Sequence, residues 1–276
     1  MTAYHGGKQR IGKQLAEVIY DTSIEMESRG ASRARSGAAL GRGFQIKGYC
    51  EPFCGMLGVY QHIPALFQDH KPKLKYKAGD ANKSVILMWK AAQKGWKPPI
   101  NISKEKYDEL KYNGLATAEK GYIGHQCAFG GQYFGSYRKE RCTEQKLQTS
   151  SENIKNTVDK VKKTIFKHGD YNQYSDLKGY IIYCDPPYAN TRQHYFSNDN
   201  WSSGTRVNSK FDSAAFWEWC EKMSHYNIIF VSEYNVPKKL LPENTKVVFR
   251  KPVKISYGRS TAKENKEKLY MLKNEK

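Results

Sequence analysis

Apolar positions along this chain of 276 residues follow a helical period in some stretches and a strand-like run in others. Ile11, Leu15, Val18 and Ile19 share one face, which predicts a helix over residues 8–20. Residues 28–43 are rich in Gly, Ser and Arg, have no period, and read as a mobile basic loop. A short strand, a glycine turn and a helix follow over 49–60. A second strand over Tyr76–Gly79 ends at Asp80, and Val85, Leu87, Met88 and Trp89 mark a helix over 84–94. From about residue 96 the texture becomes polar, aromatic and glycine-rich, until Ile154, Val158, Val161 and Ile165 form one stripe of a basic helix over 151–167. Ile181–Cys184 and Asn227–Ser232 are continuous apolar runs of the kind buried in parallel sheets. Residues 189–210 form a long loop, and Asp212 and Ser213 are suited to cap a helix carrying Phe216, Trp219 and Met223. Strands at Val247–Phe249 and Lys268–Leu272 flank a basic loop at 256–263. The alternation predicts an α/β fold, a doubly wound sheet with one inserted block.

Composition narrows the partner more than the fold. With 39% hydrophobic and 13% aromatic residues the chain can pack a core, and it has no apolar run of membrane-spanning length and no signal-peptide segment. It is therefore expected to be soluble and cytoplasmic. Six scattered cysteines (Cys50, Cys54, Cys127, Cys142, Cys184 and Cys220) form no CxxC pair, so buried thiols are expected and no metal site. The 46 basic residues against 27 acidic ones leave a net charge of +19, which favours a polyanionic partner because neutralising phosphates releases counterions. Charge alone does not separate DNA from RNA.

The run Gly179-Tyr-Ile-Ile-Tyr-Cys184 leads straight into Asp185-Pro186-Pro187-Tyr188, which puts that turn at the carboxyl end of a strand, where open α/β sheets bind ligands. Asp185 offers a carboxylate, the prolyl nitrogens carry no competing hydrogen, and Tyr188 offers a face for stacking a base. Asp-Pro-Pro also serves as a plain strand-ending turn. Glu51-Pro52-Phe53-Cys54-Gly55 follows the first strand, with a glycine that lets the backbone approach a small ligand. Asp80, at the end of the second strand, is placed to accept ribose hydroxyls, although Asp80-Ala81-Asn82 fits a helix cap equally well.

Taken together, Tyr4-His-Gly-Gly-Lys8, Glu51–Gly55, Asp80-Ala-Asn82 and Asp185–Tyr188 resemble, in order and over nearly the full chain, the Dam-type (α-class) N6-adenine-specific DNA methyltransferases. The resemblance implies a Rossmann-like methyltransferase fold that uses S-adenosyl-L-methionine. Residues 1–95 and 166–276 would be the catalytic domain, and 96–165 the target-recognition insertion. Tyr4, Lys8, Glu51, Pro52, Phe53, Gly55, Asp80 and Asn82 would line the cofactor, with Asp170, Tyr171 and Asp185 beside it. Asp185, Pro186, Pro187 and Tyr188 would be catalytic. Lys111, Tyr133, Tyr137, Arg138, Lys139 and Arg141 are candidate contacts to double-stranded DNA.

Two features depart from the family pattern. Leu57 stands where the family usually has its second glycine, with Gly58 one residue later. Gly130-Gly-Gln-Tyr-Phe-Gly135 replaces the element of the enzymes that read GATC, so that target does not transfer. The implied activity is methyl transfer to adenine N6 in duplex DNA by base flipping, in a prokaryotic or phage setting, with a cognate restriction endonuclease as a further expected partner. Methylation of adenine in ribosomal RNA and a DNA-binding homologue without catalysis are the alternatives.

Overall fold

The computed structural model describes residues 6–35, 44–112, 114–187, 211–234, 236–253 and 265–274. Tyr4, Tyr188, the 189–210 loop and the 256–263 loop lie outside these residues. Seven strands form one sheet: β1 (Gly48–Glu51), β2 (Lys75–Asp80), β3 (Thr164–His168), β4 (Tyr180–Cys184), β5 (Ile228–Glu233), β6 (Thr245–Val253) and β7 (Asn265–Leu272). Their order across the sheet is β3-β2-β1-β4-β5-β7-β6. The first five are mutually parallel, and β7 runs antiparallel to both β5 and β6. This is the expected α/β architecture, Rossmann-like and doubly wound. The order reverses between β1 and β4, and the crevice at the carboxyl ends of that pair is where such sheets hold ligands.

Every residue of β1, β4 and β5 is buried, which accounts for the continuous apolar runs in β4 and β5. Alternate residues feed two cores. Ile181, Tyr183, Ile228 and Phe230 pack with Leu15, Tyr49 and Trp89 on one face. Ile182, Cys184, Ile229 and Val231 pack with Phe216, Trp219 and Cys220 on the other.

Helices cover both faces: α1 (Gly12–Arg35), α2 (Ile63–Phe67), α3 (Lys83–Gln93), α4 (Lys104–Tyr112), α5 (Ala118–Gln126), α6 (Glu144–Lys160) and α7 (Ser213–Ser224). Asp212 caps α7 as its sequence implies, accepting from the Ala214 and Ala215 amides at 3.0 Å. Helix α1 runs on to Arg35, so residues 28–35 are helical and not part of a loop. A hydrogen-bonded Glu25–Arg29 pair at (i, i+4) supports that extension. Helix α6 spans 144–160 and not 151–167. Ile154, Val158 and Val161 are buried as a stripe requires, but Ile165 belongs to the edge strand β3 and is 64% exposed.

Helices α5 and α6 of the 96–165 block pack onto α3, and α4 packs onto α5. Gly121 of α5 lies so close to α3 that a Cβ there would sit 2.2 Å from the Ser84 carbonyl oxygen. Among the described residues no helix is long and apolar enough to cross a membrane.

Candidate active site

The chain leaving β1 turns sharply through Gly55 (φ 43°) and Leu57 (φ 56°). Three hydrogen bonds fix the turn: the Gly55 amide donates to Asp80 Oδ2 (2.9 Å), the Cys54 amide to the Gly79 carbonyl (2.8 Å), and Trp89 Nε1 to the Gly55 carbonyl (2.8 Å). Asp80 Oδ1 accepts the Asn82 amide at 2.8 Å. Asp80 therefore ties the ends of β1 and β2 together, and each of its oxygens keeps a second lone pair for a ligand hydroxyl. Burial raises its pKa, and the two amide hydrogen bonds oppose that rise. Asn82 is a helix cap, its side chain accepting from the Ser84 and Val85 amides at the start of α3. Of the two readings open for the Asp-Ala-Asn stretch, the cap accounts for Asn82, and Asp80 stands apart from it.

Leu57 stands where the resembled pattern has its second glycine. A left-handed backbone is costly for a residue with a Cβ, yet Leu57 adopts it with its side chain fully buried. Gly58 then allows close passage of the amino-terminal segment: a Cβ there would lie 3.1 Å from the Lys8 backbone nitrogen.

At the next strand end but one, β4 delivers Asp185 and the buried Pro186 to the crevice. Lys8, only 7% exposed, reaches in from the amino-terminal segment. Its Nζ donates to both carboxylate oxygens of Asp185, at 2.7 and 2.9 Å, and stands 3.7 Å from Glu267 on β7. Burial alone would lower the Lys8 pKa, but the Asp185 and Glu267 carboxylates outweigh it and hold the amine above its ordinary value. Glu51 is buried behind Asp185 and accepts the Tyr49 hydroxyl at 2.6 Å. Burial pushes its carboxyl well up, against that hydrogen bond and with the charge of Asp185.

An aromatic wall flanks the crevice. The Phe53 ring lies 5.8 Å from Tyr171, 6.0 Å from Phe211 and 5.7 Å from Phe216. Asp170 caps the single turn that carries Tyr171, and the neighbouring Gly169 amide donates to the Asp80 carbonyl. Lys8, Glu51, Pro52, Phe53, Gly55, Asp80, Asp170, Tyr171 and Asp185, named from scattered motifs, thus come together at one edge of the sheet.

The insertion residues divide. Arg138 and Lys139 are exposed, and the Arg138 guanidinium lies 4.5 Å from the centre of the Phe129 ring, which is itself 52% exposed. Lys111 stands over Tyr112 at the end of α4, and Arg141 donates to the Gln126 carbonyl. Tyr133 is buried against His125 and Phe134, so its ring is core and not a stacking surface. Tyr137 is half-buried, with its hydroxyl donating to the Ile102 carbonyl. The glycine-rich run packs onto Gly124, where a Cβ would lie 2.6 Å from Tyr133 and 2.7 Å from Phe134.

Sequence reasoning missed Phe129 and Glu267. Glu267, Leu269 and Met271 alternate along β7 and are all buried. An acidic residue in phase with two apolar ones was the available signal. The described cysteines carry no disulfide, and the described residues contain no group of side chains able to hold a metal ion.

No family model and no curated protein sequence matches this chain. Among solved structures, the rRNA methyltransferase aviRa from Streptomyces viridochromogenes at 1.5 Å is similar at 11% identity and a TM-score of 0.31, covering 92% of this chain and 84% of that one. A 2.4 Å structure of the same protein gives 10% identity and a TM-score of 0.29, over 91% and 83%. Likeness of that size carries no weight for function.

Proposed function

We propose that the protein is an S-adenosyl-L-methionine-dependent methyltransferase acting on the N6 amine of adenine in duplex DNA. The observation that supports this most is the convergence at the β1–β4 switch point: the glycine turn after β1, Asp80 after β2 and the Asp185-Pro186-Pro187 turn after β4 occupy one crevice. Asp80 has lone pairs left for a ribose, the Phe53–Tyr171 wall suits a planar ring, and the acidic floor suits a sulfonium. These residues fit the cofactor, which when bound supplies a methyl group already activated for displacement.

The remaining work belongs to the protein. An exocyclic amine conjugated to its ring is a weak nucleophile. Two acceptors aimed at its hydrogens, the Asp185 carboxylate and the Pro186 carbonyl, localise its lone pair and stabilise the positive charge that grows on nitrogen. Alignment of the amine with the methyl group does the rest, and the surplus proton leaves to Asp185 or water. In a duplex the amine is out of reach, so the base must leave the stack. The inserted helical block and the order of the motifs favour duplex DNA as the substrate.

Asp185→Ala tests this reading directly. DNA affinity should stay within a few-fold, while methyl transfer from labelled cofactor falls by at least about 100-fold. Substantial residual transfer would remove Asp185 from the acceptor role. Methyl incorporation into ribosomal RNA but not into duplex DNA by the wild-type protein would reassign the substrate.

A further inference from the structure

Lys8 presents an electrostatic difficulty for the reaction proposed above. With its ammonium on both oxygens of Asp185, at 2.7 and 2.9 Å, the pair sums to zero. A neutral pair is a poor counterweight to positive charge developing on an amine. Glu51 does not repair the deficit, because burial pushes its carboxyl toward the protonated form. Glu267 does. It is 2% exposed, stands 3.7 Å from Lys8 Nζ, and belongs to β7, which the sheet inserts beside β5.

We infer that Glu267 is a positioning residue that neutralises Lys8 from behind, leaving the negative charge of Asp185 available to the amine. The inference rests on the methyl-transfer reading. As the N–CH3 bond forms and the S–CH3 bond breaks, the nitrogen gains positive charge until its surplus proton departs. With Glu267 present, the trio of Lys8, Asp185 and Glu267 carries a net charge of −1 to meet it. Glu267 also offers the ammonium a second anchor, so that Asp185 can turn toward the base without leaving a buried lysine unpaired. Among the described residues, the other titratable groups facing Lys8 or Asp185 include Tyr234 beyond β5, Tyr183 and Cys184 of β4 and Glu51 of β1. Both tyrosines have raised pKa values, mainly through burial.

The test is Glu267→Gln with Glu267→Asp as the charge-keeping control. Glu267→Gln should lower kcat by roughly tenfold, less than loss of a direct contact, with little change in KM for DNA. Its rate should climb toward alkaline pH, where wild type stays level, because losing the Lys8 proton restores the −1 balance. Glu267→Asp should recover most of the rate. An unchanged kcat, or a reduction by the same factor at every pH, would overturn the inference.

If the wild-type protein transfers no methyl group to any adenine, the reaction reading fails, and stability then decides the coupling. The Lys8 pKa is raised on folding, so its contribution is full below the ordinary lysine value of 10.5 and is lost as pH climbs through the folded value. Removing a carboxylate lowers that folded value, so in Glu267→Gln the alkaline loss, which starts from the same ordinary lysine value, should be smaller and finish at lower pH. Coincident wild-type and variant curves would show that Glu267 does not act on Lys8.

Discussion

At the scale of single residues, Leu57 carries two opposed effects. Its left-handed backbone costs about 1–2 kcal/mol, while its buried side chain contributes about 2–5 kcal/mol relative to a truncated one. Burial is the larger, so Leu57→Gly should relieve strain and still destabilise the fold by about 2 kcal/mol in urea titration. A neutral or stabilising outcome would mean that strain dominates. The sequence exposed the anomaly, a leucine at a glycine position, but not its resolution, because side-chain burial depends on residues distant in the chain. The strand-end positions of Asp185 and Asp80 were legible because each closes a strand-like run. Glu267 was not, since an acidic residue in a short lysine-rich strand reads as a solvated face until the strand's neighbours are known. Tyr133 failed in the opposite direction: an aromatic residue among glycines suggests a stacking surface, yet Gly124 of α5 leaves room for the rings of Tyr133 and Phe134 to fold inward.

At the scale of elements, periodicity placed the strands well and misjudged helix ends. Ile165 continued the α6 stripe by coincidence of spacing, and only pairing with β2 assigns it to β3. Helix α1 outlasts its apolar stripe because local propensity and an exposed ion pair carry it on. The contact between α3 and α5 was invisible in sequence, although it sets how the inserted block sits. Gly121→Ala should gain about 1 kcal/mol of helix propensity and lose about 1–3 kcal/mol to overpacking, because the clash is with backbone that cannot rotate aside. The expected net result is a less stable protein in chemical denaturation. A stabilised variant would show that the two helices separate freely.

At the scale of the whole molecule, the charge of +19 and the acidic crevice point in opposite directions, and both are needed. On the proposed function the basic excess would draw a polyanion to the surface, and Arg138 and Lys139 display part of that charge on the insertion. On the same proposal the crevice would reserve negative charge for the cationic chemistry. DNA affinity should therefore fall at least about 100-fold between 50 and 200 mM salt, read by fluorescence anisotropy on a labelled duplex. A flat salt dependence would count against phosphate contacts as the main source of binding.

The placement of β7 has a consequence for how the protein is made. Chains emerge from the ribosome amino end first, so Lys8 is made before either of its carboxylate partners. Its carboxylate partner Asp185 is synthesised much later, and Glu267 later still. Until β7 arrives, β6 also has no strand linking it to the sheet, because β7 is its bridge to β5. A nascent chain can thus assemble the parallel half of the sheet and still hold a lysine whose second anion has not been translated. If the proposed function holds, activity would switch on only once β7 has been made, and products that stop short of it would lack the second anion for Lys8.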